Sequence, residues 1–259
     1  PMYLLLLLAL AGCKKDETGD TGPLPEPEGS ALPPYALYWF PDELLQWDPA
    51  AEDLALHTSH VPLAPRATGP VGPVNANALE GAGVASLSIF DATSGHPSLG
   101  SWSSSSAYAF TYWPLVDLMV LWGGSAGEGL ILAPAPYVTD AGHRNGVPVL
   151  GTVFLPPTAY GGDFAWVEQL LVREGDAFPV ADKLIEVARE LGFDGWFVNQ
   201  ETAGGDAGDA EEMAAFLRYF QEHKDPGMVL FWYDAMTESG PVSWQNALTT
   251  SNDAFFEDD

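Results

Sequence analysis

Five short runs of apolar residues, separated by more polar stretches, dominate the pattern along this chain. The runs cover residues 84–90, 118–122, 147–154, 195–199 and 228–233. Their hydrophobic character is nearly continuous rather than alternating, which is typical of strands buried on both faces of a parallel sheet. The pattern therefore predicts five parallel strands.

Helical periodicity appears between the later runs. Residues 180–191 place their apolar side chains on one face, as expected for an amphipathic helix. A second helix is predicted after Asp209, because Asp209 and Glu212 resemble a capping box. Its inner face would carry four apolar side chains, namely Met213, Phe216, Leu217 and Phe220.

Strands that alternate with helices predict an α/β fold made of right-handed βαβ units. At this length the alternatives are a doubly wound sheet and a (β/α)8 TIM barrel. No glycine-rich phosphate loop opens the predicted helices, which disfavours the nucleotide-binding doubly wound fold. We therefore expect a TIM barrel. It would be incomplete at the C-terminus, since about five of its eight strands are recognised and residues 257–259 end the sequence without a final helix.

The first 34 residues differ from the rest. An apolar run at residues 3–11 precedes Gly12 and Cys13, the single cysteine of the chain. The run is too short to cross a bilayer and has the length of a signal-peptide core. Residues 10–13 also resemble the lipobox of bacterial lipoproteins, in which the cysteine thiol carries a diacylglycerol anchor.

These features predict three segments. Residues 1–13 would be a lipoprotein signal peptide, with Cys13 as the lipid anchor, and residues 14–34 a flexible acidic linker. Residues 35–259 would form the folded domain.

The expected location is the bacterial cell envelope, and Lys14 after the cysteine favours the outer membrane or cell surface. The alternative is an ordinary signal peptide that contains a cysteine. Because the chain begins with Pro1, we expect its start to be clipped.

The charge restricts the possible partners. The chain has 9 Lys and Arg against 36 Asp and Glu, a formal net charge of −27. Such an acidic surface repels phosphate backbones, so nucleic acid is not expected as a partner, whereas a neutral sugar is compatible. His57 and His60 form the closest histidine pair, in a predicted loop, but lack a zinc-type set of ligands. Neither a metal nor another cofactor is expected.

The fourth apolar run ends with Asn199 and Glu201. Side chains alternate along a strand, so this amide and this carboxyl share one face, and barrel active sites lie at the carboxyl ends of strands. Retaining glycosidases ordinarily use two carboxylates, but an amide here replaces the second. The pair fits substrate-assisted chemistry, in which the 2-acetamido oxygen of the sugar attacks its own anomeric carbon. The alternative is that Glu201 is simply a solvated loop residue.

The chain also resembles a known family, glycoside hydrolase family 85, the endo-β-N-acetylglucosaminidases. The matching segments, in family order, are residues 38–42, 61–66, 112–122, 141–154, 156–162, 193–201, 232–234 and 242–246. The resemblance implies hydrolysis of the GlcNAc-β1,4-GlcNAc bond in the chitobiose core of N-linked glycans. The mechanism it implies is substrate-assisted and retaining, with an oxazoline intermediate.

The resemblance also implies roles for individual residues. Glu201 would be the acid/base, Asn199 would orient the acetamido group, and Tyr233 would be its hydrogen-bonding partner. Substrate binding would involve Trp122, Tyr160, Trp244 and Asn246, whereas Asp91, after the first run, either reaches the site or begins a turn. Four other tryptophans are expected in the core, namely Trp39, Trp113, Trp166 and Trp196. The family's later strands and its β-sandwich domain have no counterpart here, so we expect residues 1–259 alone to be poorly stable or inactive.

Two rival functions remain. A chitinase-like barrel also uses substrate assistance, but its D-x-x-D-x-D-x-E pattern is matched at Asp194 and Glu201 and not at Phe197 and Asn199. A non-catalytic, sugar-binding surface lipoprotein would be favoured by the loss of Glu201 or Asn199. Both residues are present.

Overall fold

Seven strands and six helices are found in the computed structural model, which describes residues 37–50, 54–66, 83–89, 110–233 and 235–243. The strands are β1 (Leu37–Trp39), β2 (Ala85–Ser88), β3 (Leu118–Leu121), β4 (Ile131–Ala133), β5 (Val149–Leu155), β6 (Gly195–Gln200) and β7 (Val229–Tyr233). The helices are α1 (Pro41–Leu44), α2 (Leu54–His57), α3 (Pro136–Arg144), α4 (Phe164–Leu170), α5 (Pro179–Leu191) and α6 (Ala207–His223). None of these helices, within the ranges just given, is long and apolar enough to cross a bilayer.

Five of the strands are parallel and follow one another across the sheet in the order β2, β3, β5, β6, β7. Each coincides with one of the five apolar runs, so the predicted parallel strands are confirmed. Right-handed crossovers through helices are the usual way to join such strands. The α/β fold is that of part of a (β/α)8 barrel.

The two remaining strands are antiparallel and were not predicted. β4 pairs with β1 on one side and with the second half of β5 on the other, through Ile131 opposite Val153. The first half of β5 pairs instead with β3, through Met119 opposite Val149. β3 and β4 therefore share one edge of β5, because β6 occupies the other. Gly123, just beyond β3, packs closely on β4, since a Cβ there would lie 2.6 Å from a methyl group of Leu132.

The two faces of the parallel sheet have different cores. Trp196 and Val198 point toward helices α5 and α6 and belong to the larger buried cluster. The Trp196 indole is satisfied there, since its Nε1 donates to the Leu184 carbonyl at 2.9 Å. The opposite, inner face carries a smaller cluster, in which Phe197 packs with Val120 and Leu150. Of the tryptophans expected in the core, Trp39, Trp113 and Trp196 are buried and Trp166 is partly buried.

The start of α6 differs from the prediction. Asp206 is the N-cap, and its carboxylate accepts from the backbone N–H groups of Gly208 and Asp209 at 2.8 and 3.3 Å. Asp209 completes the capping box, because its carboxylate accepts from the Asp206 backbone N–H at 2.8 Å. The predicted box of Asp209 and Glu212 is therefore wrong by one turn. The predicted inner face is confirmed, with Met213, Phe216, Leu217 and Phe220 buried.

A buried histidine joins the amino ends of β5 and β6. The Nε2 of His143 donates to the Asp194 carboxylate at 2.8 Å, and its Nδ1 donates to the Val61 carbonyl. The same carboxylate oxygen accepts from the Val149 backbone N–H at 2.7 Å. Both partners of the imidazole ring are acceptors, so the ring satisfies them only when both nitrogens are protonated. Burial opposes this charge, but the hydrogen bonds to Asp194 and Val61 outweigh it and raise the pKa of His143.

We expect this pair to make stability depend on pH. Because the pKa of His143 is raised in the folded protein, its contribution is fully present below about pH 6.5, the pKa of an unfolded histidine. It is lost as the pH rises through the folded-state pKa. The His143→Asn variant should cost on the order of 3 kcal/mol of unfolding free energy at about pH 5.5, and less at about pH 9. Denaturant titrations at both pH values measure this.

The control is His223→Asn, which removes an exposed histidine at the end of α6. Its cost at about pH 5.5 should be well below that of His143→Asn, because the ring is exposed. A His143→Asn penalty that is equal at both pH values would contradict the assignment of a charged pair.

Candidate active site at the carboxyl end of the strands

One row of side chains crosses three parallel strands at their carboxyl ends. Asn199 in β6 lies in register with Phe154 in β5 and with Tyr233 in β7. Register partners in parallel strands stand on the same face, and this is the inner face that also carries Phe197. Trp122, directly after β3, extends the row, with its ring centroid 5.0 Å from that of Phe154. The structure thus brings together Trp122, Asn199 and Tyr233, three of the residues singled out in the sequence.

Asn199 is a buried amide with an unused acceptor. Its side chain is 5% exposed, and its Oδ1 accepts no hydrogen bond from the described residues. Leaving a buried polar atom unpaired costs about 1–3 kcal/mol unless a water or a ligand supplies the missing partner. The amide can therefore accept a hydrogen bond from a donor that enters the row, such as the N–H of an acetamido group.

Glu201 lies two residues beyond Asn199, a spacing that puts two side chains on the same side of an extended chain. Its backbone N–H donates to the Leu155 carbonyl at 2.8 Å, which continues the pairing of β6 with β5 past the end of the strand. The side chain is half-buried and forms no ion pair within the described part of the chain. Burial raises the pKa of the Glu201 carboxyl. A carboxyl that keeps its proton more readily is suited to act as a general acid.

Tyr160 lies on the loop that follows β5. It ends a single 3₁₀ turn, Thr158–Tyr160, and is 76% exposed. The next residue, Gly161, has φ of +87°, and a Cβ there would lie 3.0 Å from the Cβ of Ala126 in the loop after β3. The two loops are therefore in contact, and the glycine lets the turn close. An exposed aromatic ring at this rim is suited to stack on a sugar face.

Three residues beside the site were missed in the sequence. Phe154 separates Trp122 from Asn199, and Gln200 and Thr202 flank Glu201 while remaining fully buried. Phe154 was indistinguishable from other apolar strand residues. Gln200 and Thr202 carried a usable signal, since polar residues at the end of a buried strand must find partners.

Four predicted functional residues, Cys13, Asp91, Trp244 and Asn246, lie outside the described residues. Among the residues the structure does describe, no group of three or more His, Cys, Asp or Glu side chains could hold a metal ion. His57, predicted in a loop, instead ends helix α2.

Comparison with known proteins gives consistent matches. The profile described as "Glycosyl hydrolase family 85" matches residues 92–259. The cytosolic endo-beta-N-acetylglucosaminidase of Gallus gallus is 31% identical over 223 residues, which are 83% of this chain and 28% of that protein. The cytosolic endo-beta-N-acetylglucosaminidase 2 of Arabidopsis thaliana is 33% identical over 152 residues, 58% of this chain and 21% of that protein.

A solved structure agrees in fold. The crystal structure of the glycoside hydrolase domain of Endo-D from Streptococcus pneumoniae R6 superposes with a TM-score of 0.68 at 38% identity. The match covers 82% of this chain and 33% of that chain. The chain thus spans a third or less of each of these three proteins. With a family profile that matches most of its length and a common fold, the chain belongs to glycosyl hydrolase family 85.

Proposed function

We propose that this protein is an endo-β-N-acetylglucosaminidase that cuts between the two N-acetylglucosamines of the N-glycan core. The observation that carries the proposal is the buried amide of Asn199, whose Oδ1 accepts no hydrogen bond from the described residues, two residues before the half-buried carboxyl of Glu201. The relatives in Gallus gallus and Arabidopsis thaliana are named for this activity, although the chain spans 28% and 21% of their lengths.

In the proposed reaction, Glu201 donates its proton to the glycosidic oxygen as the bond from C1 to that oxygen breaks. The acetamido oxygen of the same sugar attacks C1 from the opposite face, and a positively charged oxazoline ring forms that still carries its N–H proton. Asn199 Oδ1 accepts the acetamido N–H, which fixes the attacking geometry, and Tyr233 on the adjacent strand bonds the same group. Water then attacks C1 as the bond from C1 to the acetamido oxygen breaks and the ring opens, the Glu201 carboxylate takes a proton from the water, and the configuration is retained.

The inner row supports this route over one with two carboxylates. Its side chains, Trp122, Phe154, Asn199 and Tyr233, include no carboxyl group. The chitinase-like pattern needs a carboxylate at position 197, yet Phe197 is buried among Val120 and Leu150, where a charge would be strongly penalised. The oxazoline route requires one carboxyl group from the protein, and Glu201 supplies it.

The test is product analysis with the full-length protein and an N-glycosylated peptide. Mass spectrometry should find one N-acetylglucosamine on the peptide and one at the reducing end of the released glycan. A chitin oligosaccharide serves as the comparison substrate and should be cut far more slowly. A peptide that loses both sugars, or one that stays intact, would contradict the proposal.

We also propose that Cys13 anchors the protein in a bacterial envelope. The support is the apolar run at residues 3–11, whose end overlaps residues 10–13 in lipobox order. A Pro-, Gly- and Glu-rich stretch comes after it. The relatives named above are called cytosolic, so this feature would set the present chain apart from them.

Expression with a labelled fatty acid tests the anchor. The full-length protein should incorporate the label in a bacterial host, and the Cys13→Ser variant should not, because serine cannot form the thioether. The Ser30→Ala variant, in the linker, is the matched control and should be labelled like the parent. Equal labelling of the parent and the Cys13→Ser variant would show that the lipobox prediction is wrong.

A further inference from the structure

Two fully buried polar residues flank Glu201. Gln200 and Thr202 are 0% and 1% exposed. The Gln200 Nε2 donates to the Thr202 carbonyl at 2.9 Å, and the Thr202 backbone N–H donates back to Gln200 Oε1 at 2.7 Å. This closed pair of hydrogen bonds spans Glu201 and holds the backbone on both sides of it.

A third hydrogen bond ties this segment to the neighbouring strand. Thr202 Oγ1 donates to the Pro156 carbonyl at 2.8 Å, just beyond β5. The same carbonyl is closed in by Gly162, where a Cβ would lie only 1.8 Å from its oxygen. Pro156 and Gly162 bound the loop that carries Tyr160. The backbone beside Glu201 is thus fixed to the base of the loop that displays this exposed aromatic ring.

The Gln200 amide lies on an otherwise apolar face of β6. Gln200 continues the outer face of β6, where Trp196 and Val198 are packed in the apolar core. An apolar residue at position 200 would suit that face, whereas a buried amide is costly unless all its bonds are made. Both ends of the Gln200 amide are satisfied, and both are satisfied by the residue after Glu201.

We propose that Gln200 and Thr202 are positioning residues, which hold the Glu201 carboxyl at one place at the mouth of the site through the backbone that they clamp. The proposal rests on the proposed function of Glu201 as the acid/base. A rigid backbone matters there because proton transfer needs the carboxyl within hydrogen-bond reach of the reacting oxygen. A displacement of about 1 Å can cost up to about 10²-fold in rate.

The first test uses Thr202→Val in the full-length protein, which keeps the side-chain shape and removes the hydroxyl. We expect kcat for glycan hydrolysis to fall on the order of tenfold, with KM within about twofold, because the acid is misplaced while the sugar subsites persist. Thr202→Ser restores the hydroxyl and should return kcat to within about twofold of the parent. Gln200→Met, which removes both amide bonds, should act like Thr202→Val and decides the question if that variant fails to fold.

The matched control is Thr152→Val. Thr152 is likewise fully buried, and its Oγ1 donates to the Leu121 carbonyl at 2.8 Å, but this bond joins β5 to β3 and does not reach Glu201. Its melting temperature should fall about as much as that of Thr202→Val, while its kcat stays near the parental value and any effect through Trp122, which follows Leu121, appears in KM. A kcat loss equal to that of Thr202→Val, or a Thr202→Val enzyme with the parental kcat, would overturn the proposal.

A second readout needs no substrate. The infrared band of the Glu201 carboxyl, isolated as the difference between the parent and Glu201→Gln, gives its pKa directly. In Thr202→Val the carboxyl should move toward water, so its pKa should fall toward that of an ordinary glutamate. An unchanged pKa would count against the clamp. If the parent cuts no glycan, the proposed function fails, and this titration still decides whether the clamp positions Glu201.

Discussion

Replacing Glu201 with glutamine should lower the rate of chitobiose-core hydrolysis by about 10²- to 10⁴-fold. Glutamine fills the same space but can neither donate a proton to the glycosidic oxygen nor accept one from water. Single-turnover rates on an N-glycosylated peptide, measured in the full-length protein, give the loss in the chemical step. The matched control is Glu190→Gln, the same chemical change at an exposed position of α5, which should leave the rate unchanged.

The pH dependence of the hydrolysis rate of the parent protein also tests the role of Glu201. Hydrolysis requires the protonated form of Glu201, so the rate should fall as the pH rises through its folded-state pKa. Burial raises that pKa, and the alkaline limb should therefore lie above the range of an exposed glutamate. A Glu201→Gln variant with a near-parental rate, or a covalent glycosyl-enzyme trapped on a carboxylate, would refute the substrate-assisted assignment.

The second large effect is expected at Asn199. The Asn199→Ala variant should lose about 10²- to 10³-fold in hydrolysis, because nothing then holds the acetamido group in line or stabilises the charge of the forming ring. A preformed sugar oxazoline bypasses that step. Asn199→Ala should therefore still transfer sugar from an oxazoline donor to an N-acetylglucosamine acceptor, whereas Glu201→Gln should lose most of this transfer for want of a base.

Asn145→Ala is the control for this experiment. Asn145 is also an amide, but its Nδ2 donates to the Ala141 carbonyl at the end of α3, away from the inner row. It should keep both activities. If the Asn199→Ala variant instead lost oxazoline transfer as completely as Glu201→Gln does, that result would contradict the separate roles proposed for the two residues.

The parallel strands could be predicted because burial on both faces makes each of them a continuous apolar run. The antiparallel strands β1 and β4 could not, since each has only three residues and too few positions to show a period. The start of α6 was misplaced for a related reason. Acidic residues recur at Asp206, Asp209 and Glu212, and only the three-dimensional course of the chain decides which of them caps the helix.

The candidate site could be predicted where polar residues interrupt the apolar pattern of a strand. Asn199 and Glu201 stood out as polar residues at the end of an apolar strand, and alternation placed them on one face. Phe154 was hidden among apolar neighbours, and its role beside Asn199 comes from the register between β5 and β6. Register depends on contacts between distant parts of the chain, which a single sequence does not record.

The length of β6 separates two features of the protein that could be altered by substitution. Asp194 precedes it and Glu201 follows it, so the buried histidine–aspartate pair and the proposed acid lie about 23 Å apart along one strand. Energetic effects of substitutions this far apart usually add. Substitutions that strengthen the amino end should therefore combine freely with changes of substrate preference at the carboxyl end. Stabilising substitutions often lower the activity of an enzyme, but those at the amino end of β6 should leave activity at its carboxyl end unchanged.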